Sequence, residues 1–206
     1  MNKRQFLIGT RLLFGFGALF AVGFQAFTSH QANALNPVNF LSFFTNLSNI
    51  FAAVVFITSA LYLVKQRQPS RTDDTIRGAS VLYMAITGIV YGTLLTDVPV
   101  GLLVPWVNVL LHYIMPIVVV ADWLYQPQKT KLPNKTVLLW LIFPALYLVY
   151  SLIRGAFIGW YPYPFLNPTH GGYIEVLVYV IGILIVFLAA GFGITKLGNV
   201  LKRNIN

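Results

Sequence analysis

The chain has 206 residues, 57% of them hydrophobic and only 9% charged, with a formal net charge of +9 and no cysteine. A soluble domain carries about 25% charged residues, so this chain cannot cover a water-facing surface. The missing cysteines exclude disulfides, thiolate metal sites and a cysteine nucleophile.

Apolar residues fall in six long blocks. A block of ~18 or more can cross a bilayer, and lipid offers no partner for backbone polar groups, so each block must be helical. The first span is expected over 6–27. It follows Lys3 and Arg4, and Ala32-Asn33-Ala34 beyond it is similar to a signal-peptide cleavage site. The apolar run is long, Arg11 interrupts its start, and the small-residue site lies well past its end. An uncleaved first helix is therefore expected. The second span is expected over 41–64, the third over 78–95 and the fourth over 105–125, with Pro105 suited to a helix start. The fifth and sixth are expected over 136–153 and 173–196. No repeat or second domain interrupts this single all-α membrane domain.

The charges sort by loop. Lys3 and Arg4 precede the first span, and Lys65, Arg67, Arg71 and Arg77 lie between the second and third. Lys129, Lys131 and Lys135 lie between the fourth and fifth, and Lys196, Lys202 and Arg203 follow the sixth. Segments 28–40, 96–104 and 155–172 carry no Lys or Arg, although Arg154 stands at the edge of the last. The positive-inside rule then predicts both ends in the cytoplasm, in a multi-pass protein of the cell membrane. It also accounts for the net charge, so nucleic acid is not an expected partner and membrane lipid is.

Polar side chains inside spans are costly unless partnered, which makes them the place to seek function. At the start of the second span, Thr45, Ser48 and Asn49 share one helix face, with Asn46 beside them. Packing between helices is the plain reading of such small polar residues. In the fourth span, Asn108 and His112 share a face about 7 residues below the outer edge, or ~10 Å. Histidine is well suited to exchange a proton near neutral pH, while a buried neutral His bonded to a neighbouring Asn is the structural alternative. Pro116 removes the N–H that would meet the His112 carbonyl and is expected to kink the span. Asp122 lies ~15 Å further along the axis, too far to orient that imidazole, and pairing with a basic side chain is expected. Trp123 and Tyr125 read as interface anchors.

The outer loop runs from Arg154 through Trp160-Tyr161-Pro162-Tyr163-Pro164-Phe165 to His170 and Glu175. Its alternating prolines and aromatics make a stiff segment suited to a lid, or an ordinary aromatic belt. Arg154 is expected either to pair with Glu175 or to hold the carboxylate of an anionic lipid. The histidines at 30, 112 and 170 are too scattered for a metal site. No phosphate-cradling glycine loop or G-x-S-x-G elbow is present, and no cofactor is implied.

Three stretches carry a resemblance: Phe43-x-Thr45-Asn46-x-Ser48-Asn49, Asn108-x-x-x-His112-x-x-x-Pro116 running into Asp122-Trp123, and Tyr161-Pro162-Tyr163-Pro164-Phe165 before Gly172-Tyr173. In order and spacing the chain resembles the bacterial Pr6Pr integral membrane proteins, distant relatives of the androgen-induced-gene family of animal membrane proteins. The resemblance covers nearly the whole chain. It implies an intramembrane hydrolase of fatty acid esters of hydroxy fatty acids or similar lipid esters, in a bacterial inner membrane. Carried over by motif, Thr45 is the nucleophile and His112 the general base. Asn46, Asn49 and Asn108 are candidates to bind the oxyanion or fix the imidazole tautomer, with Ser48 and Arg154 as further support. Two other readings stand beside it: a non-catalytic lipid- or partner-binding bundle, and a small transporter.

Overall fold

The computed structural model describes residues 2–34, 36–96, 98, 104–169 and 171–203, except for the Arg203 side chain. Six helices are long and apolar enough to cross a membrane, and no strand occurs among the described residues. The first span is α1 (Lys3–Gln31). A short α2 (Pro37–Leu41) leads into α3 (Phe44–Val64), the second span. The third is α4 (Arg71–Val90), prolonged by a π-helical turn at Tyr91–Leu95. The fourth is α5 (Pro105–Val109), a π turn at Leu110–Ile114 and α6 (Met115–Tyr125). The fifth is α7 (Thr136–Trp140) with α8 (Ile142–Ile158), and the sixth is α9 (Gly172–Arg203).

The spans match the apolar blocks and extend past several of them. The third begins at Arg71 rather than 78, because Ser70 and Asp73 form a capping box. The Asp73 carboxylate accepts from the Ser70 N–H at 2.7 Å, and the Ser70 hydroxyl accepts from the Asp73 N–H at 3.2 Å.

Helix α4 is the most buried span. Its Leu82 and Ile86 pack into one apolar cluster with Phe44, Trp140 and Phe187, while Val81 and Met84 join a second with Ala18, Ala52, Phe56 and Met115. On the far side of that second cluster, small residues let α1 approach α3 closely. A Cβ on Gly15 would lie 2.8 Å from Ile57 Cγ1 and 3.2 Å from the Ala53 carbonyl oxygen. The outward faces are hydrocarbon, with Phe157 86% exposed and Ile174 79%, as suits helices of membrane-spanning length and composition.

Polar groups mark the two ends of the bundle. At the basic end, Arg4 donates to the carbonyls of Leu63 and Val64, the orphan acceptors closing α3, at 2.9 and 3.0 Å. There Asp122 takes two bonds from Arg11, at 2.8 and 3.0 Å, and one from Arg77 at 2.7 Å. The expected basic partner of Asp122 is thus two arginines. One of them is Arg11, whose charge had seemed only to interrupt the first span.

At the opposite end, Arg154 does not pair with Glu175. It donates to Asn39 Oδ1 at 2.5 Å and lies over the Trp160 ring, 5.2 Å from its centroid. Glu175 instead folds back over Gly171 at the start of α9, where the helix dipole favours a carboxylate. His170 lies outside the described residues.

Candidate functional site

The break between α2 and α3 sets the position of Thr45. Ser42 occupies it, with its carbonyl accepting from Tyr147 at 2.9 Å and its hydroxyl 2.8 Å from Tyr150, both from α8. Asn46 Nδ2 donates to the Phe40 carbonyl at 2.8 Å, at the end of α2 where carbonyls run out of regular helical partners and the Phe43 N–H reaches this one only at 3.5 Å. These bonds turn the first residues of α3 inward, and Thr45, Asn46, Ser48 and Asn49 are all buried.

His112 owes its place to the π turn. Within that turn the Met115 N–H bonds the Leu110 carbonyl, five residues back. The Leu111 carbonyl would next look to residue 116, which is proline and has no N–H. Asn49 Nδ2 takes over, donating to the Leu111 oxygen at 3.2 Å and to the Thr45 carbonyl at 2.9 Å. So Pro116 widens the helix before it, and α3 supplies the donor that proline removes. Such π turns recur at functional sites.

The widened turn brings His112 against Tyr91, itself in the π turn of the third span, with ring centroids 4.0 Å apart. Tyr91 accepts from Asn108 Nδ2 at 2.7 Å. His112 Nδ1 lies 3.2 Å from the Asn108 carbonyl oxygen. A carbonyl only accepts, so Nδ1 carries a proton, and the ring in its neutral form presents its lone pair at Nε2. Nε2 bonds none of the described residues.

Thr45 and His112 line one small chamber of about 50 Å³, together with Asn46, Asn108, Tyr91 and Tyr163. That space holds a few waters and no acyl chain. They do not hydrogen-bond each other. The Thr45 hydroxyl instead lies 3.4 Å from the Tyr163 hydroxyl, which also accepts from the Thr45 N–H at 3.3 Å. Burial pushes the Tyr163 phenol above its ordinary pKa, which keeps it protonated and able to donate.

Tyr163 is the residue that sequence reasoning did not single out. It lies in the Pro/aromatic segment, which packs down onto α3: Tyr163 and Trp160 both meet Phe43 edge-on at 5.7 Å. The alternation of prolines and aromatics was the signal, and it did not say which ring points inward.

Thr45 and Tyr163 also line a second cavity, apolar and about 340 Å³ in volume, walled by α4, α8 and α9. Ala145 and Leu184 line this cavity and are exposed on the outer surface, so it opens sideways between α8 and α9. The threonine hydroxyl therefore stands at the partition between a polar chamber and an apolar cavity.

Compared with family models, curated proteins and solved structures, the chain matches none.

Of the remaining candidates, Asn46 and Asn108 reach the chamber, each with one N–H given to a neighbour, the Phe40 carbonyl and the Tyr91 hydroxyl. Asn49 lies behind it, holding the Leu111 carbonyl. Ser48 is fully buried away from it, its hydroxyl unpartnered among the described residues. Arg154 is engaged by Asn39, outside the chamber.

Proposed function

We propose that this protein is an intramembrane hydrolase of lipid-like carboxylic esters, with Thr45 as nucleophile and His112 as base. The observation that carries the reading is the partition just described. An ester entering between α8 and α9 would lay its chain in the apolar cavity and bring its carbonyl to the Thr45 hydroxyl, while water reaches the same atom from the chamber. The order of motifs that resembles the Pr6Pr group supports it too. The reading includes the cytoplasmic placement of the basic end and a bacterial inner-membrane location.

The chemistry runs in two steps. Thr45 Oγ1 attacks the acyl carbon, and its proton passes through a chamber water to His112 Nε2. The tetrahedral intermediate expels the alkoxide, which takes that proton and leaves as the alcohol. A water then attacks the acyl-threonine, giving its proton to His112, and the threonine oxygen recovers one as the acid departs. The Tyr163 O–H is a donor available to the oxyanion, beside the second N–H of Asn46 and of Asn108, while both N–H groups of Asn49 are engaged.

The test is hydrolysis of a long-chain fatty acid ester of a hydroxy fatty acid by the purified protein. Thr45→Ala should abolish turnover, and His112→Ala should lower it by about 10²–10⁴. Full activity in both variants refutes the assignment.

A second reading, a non-catalytic lipid-binding bundle, is favoured by the bonds these asparagines make to neighbouring helices and loops, which act as helix glue. Covalent labelling of Thr45 by an acylating probe would exclude it. A transporter gains little, because Asp122, the carboxylate it would use, is locked between two arginines.

A further inference from the structure

At the basic end of the bundle, a cavity of about 290 Å³ opens between the start of α1, the end of α3, the start of α4 and the chain after α6. Five cationic side chains line it: Arg4, Arg11, Arg67, Arg77 and Lys129. Like charges so gathered repel unless matched, so the distribution of countercharge decides what the cavity attracts.

Arg67 is matched by Asp73 at 3.3 Å. Arg11 and Arg77 divide the single carboxylate of Asp122. Arg4 meets only neutral carbonyls, those of Leu63 and Val64. Lys129 Nζ meets only the neutral amide of Gln68, at 2.8 Å. Asp74 also lines the cavity, but one of its oxygens is committed to the backbone N–H groups of Lys129 and Thr130 and to the Thr130 hydroxyl, at 2.7–3.0 Å. Positive charge is left in excess, with Arg4 and Lys129 lacking a carboxylate partner among the described residues.

Next to this cavity, a groove of about 650 Å³ runs between α1 and α6, walled by Phe6, Leu7, Phe14 and Val118 and reaching Asp122. The Arg11–Asp122 pair is the boundary between the two. A basic cavity on one side and a hydrocarbon groove on the other match the two halves of a phospholipid. Basic pockets between membrane helices take phosphate headgroups on these terms.

We propose that the basic end binds the phosphate of an anionic phospholipid between Arg4 and Lys129, with an acyl chain along the α1–α6 groove. The site lies at the far end of the bundle from Thr45 and is independent of the ester chemistry.

The test uses the full-length protein in detergent, with dioleoyl phosphatidylglycerol, dioleoyl phosphatidylcholine or inorganic phosphate added. Bound lipid is counted by native mass spectrometry and stability is followed as Tm. Phosphatidylglycerol should remain bound at one per chain and raise Tm, and phosphatidylcholine should do neither. Lys129→Gln and Arg4→Gln should each weaken phosphatidylglycerol binding by roughly fivefold. Lys131→Gln, the same charge loss outside the cavity, should leave it unchanged. Should Arg4→Gln fail to fold for want of its α3 cap, Lys129→Gln decides alone, since it gives up only the Gln68 contact. Equal stabilisation by inorganic phosphate would make this a free-anion site and overturn the lipid assignment. Equal binding of the two phospholipids, or Lys129→Gln binding phosphatidylglycerol as tightly as Lys131→Gln, would overturn the site itself.

Discussion

Replacing Asn49 by leucine, its near isostere, tests the idea that α3 supplies the donor that Pro116 removes. The side chain is fully buried. The Thr45 carbonyl keeps its helical partner at residue 49, so the orphaned group is the Leu111 oxygen. A buried acceptor left without a donor costs about 1–3 kcal/mol. Asn49 Oδ1 has no partner among the described residues, and leucine relieves that, so the net loss should fall near 1 kcal/mol. In a Pro116→Ala background, residue 116 regains an N–H that can serve the backbone of the turn, and the Asn49 donor becomes redundant. Asn49→Leu should then cost almost nothing, a coupling of about 1 kcal/mol in a double-mutant cycle. Reversible unfolding in mixed detergent micelles would measure it. Additivity within about 0.5 kcal/mol would refute the account of the π turn.

Three further outcomes follow from the same geometry. Asp122→Ala strands one buried and one half-buried guanidinium group and should destabilise by about 3–5 kcal/mol; Arg77→Gln, which leaves the Arg11 pair intact, should cost clearly less in the same assay. Tyr163→Phe deletes one hydroxyl beside Thr45 and should lower ester hydrolysis about tenfold or more, at a stability cost of about 1 kcal/mol for the Thr45 N–H it leaves without an acceptor. Gly15→Leu forces α1 from α3 and should destabilise by about 1–3 kcal/mol. Gly17→Leu should be silent in thermal unfolding, since nothing lies within 4 Å of its Cβ position.

The six helices were readable because membrane helices are written in composition: a long apolar run has one way to satisfy its backbone. What failed to show were features made by two segments at once. Pro116 predicted a disturbance after His112, but its form as a π turn involves Asn49, 62 residues before the Leu111 carbonyl it bonds. Arg11 appeared as a defect because its partner lies on the fourth span. Thr45, Asn108 and His112 were visible as polar residues in lipid-length runs, and they do line one chamber. Their hydrogen bonds were not visible, since a buried asparagine looks the same whether it serves a ligand or a neighbouring carbonyl. Arg154 and Glu175 seemed natural partners by charge, yet Asn39 and the start of α9 offered each a better-placed one.

The Arg11–Asp122 pair also bears on how the protein is made. Its two halves are 111 residues apart in the chain. At about 5–20 residues per second, the first helix waits roughly 6–22 seconds before its counterion is synthesised. An arginine two turns from the helix start can stretch its stem toward the headgroups meanwhile, keeping the newborn helix shallow. Arrival of the fourth helix would then draw it in, and on this account the first segment reaches its final depth late in biosynthesis.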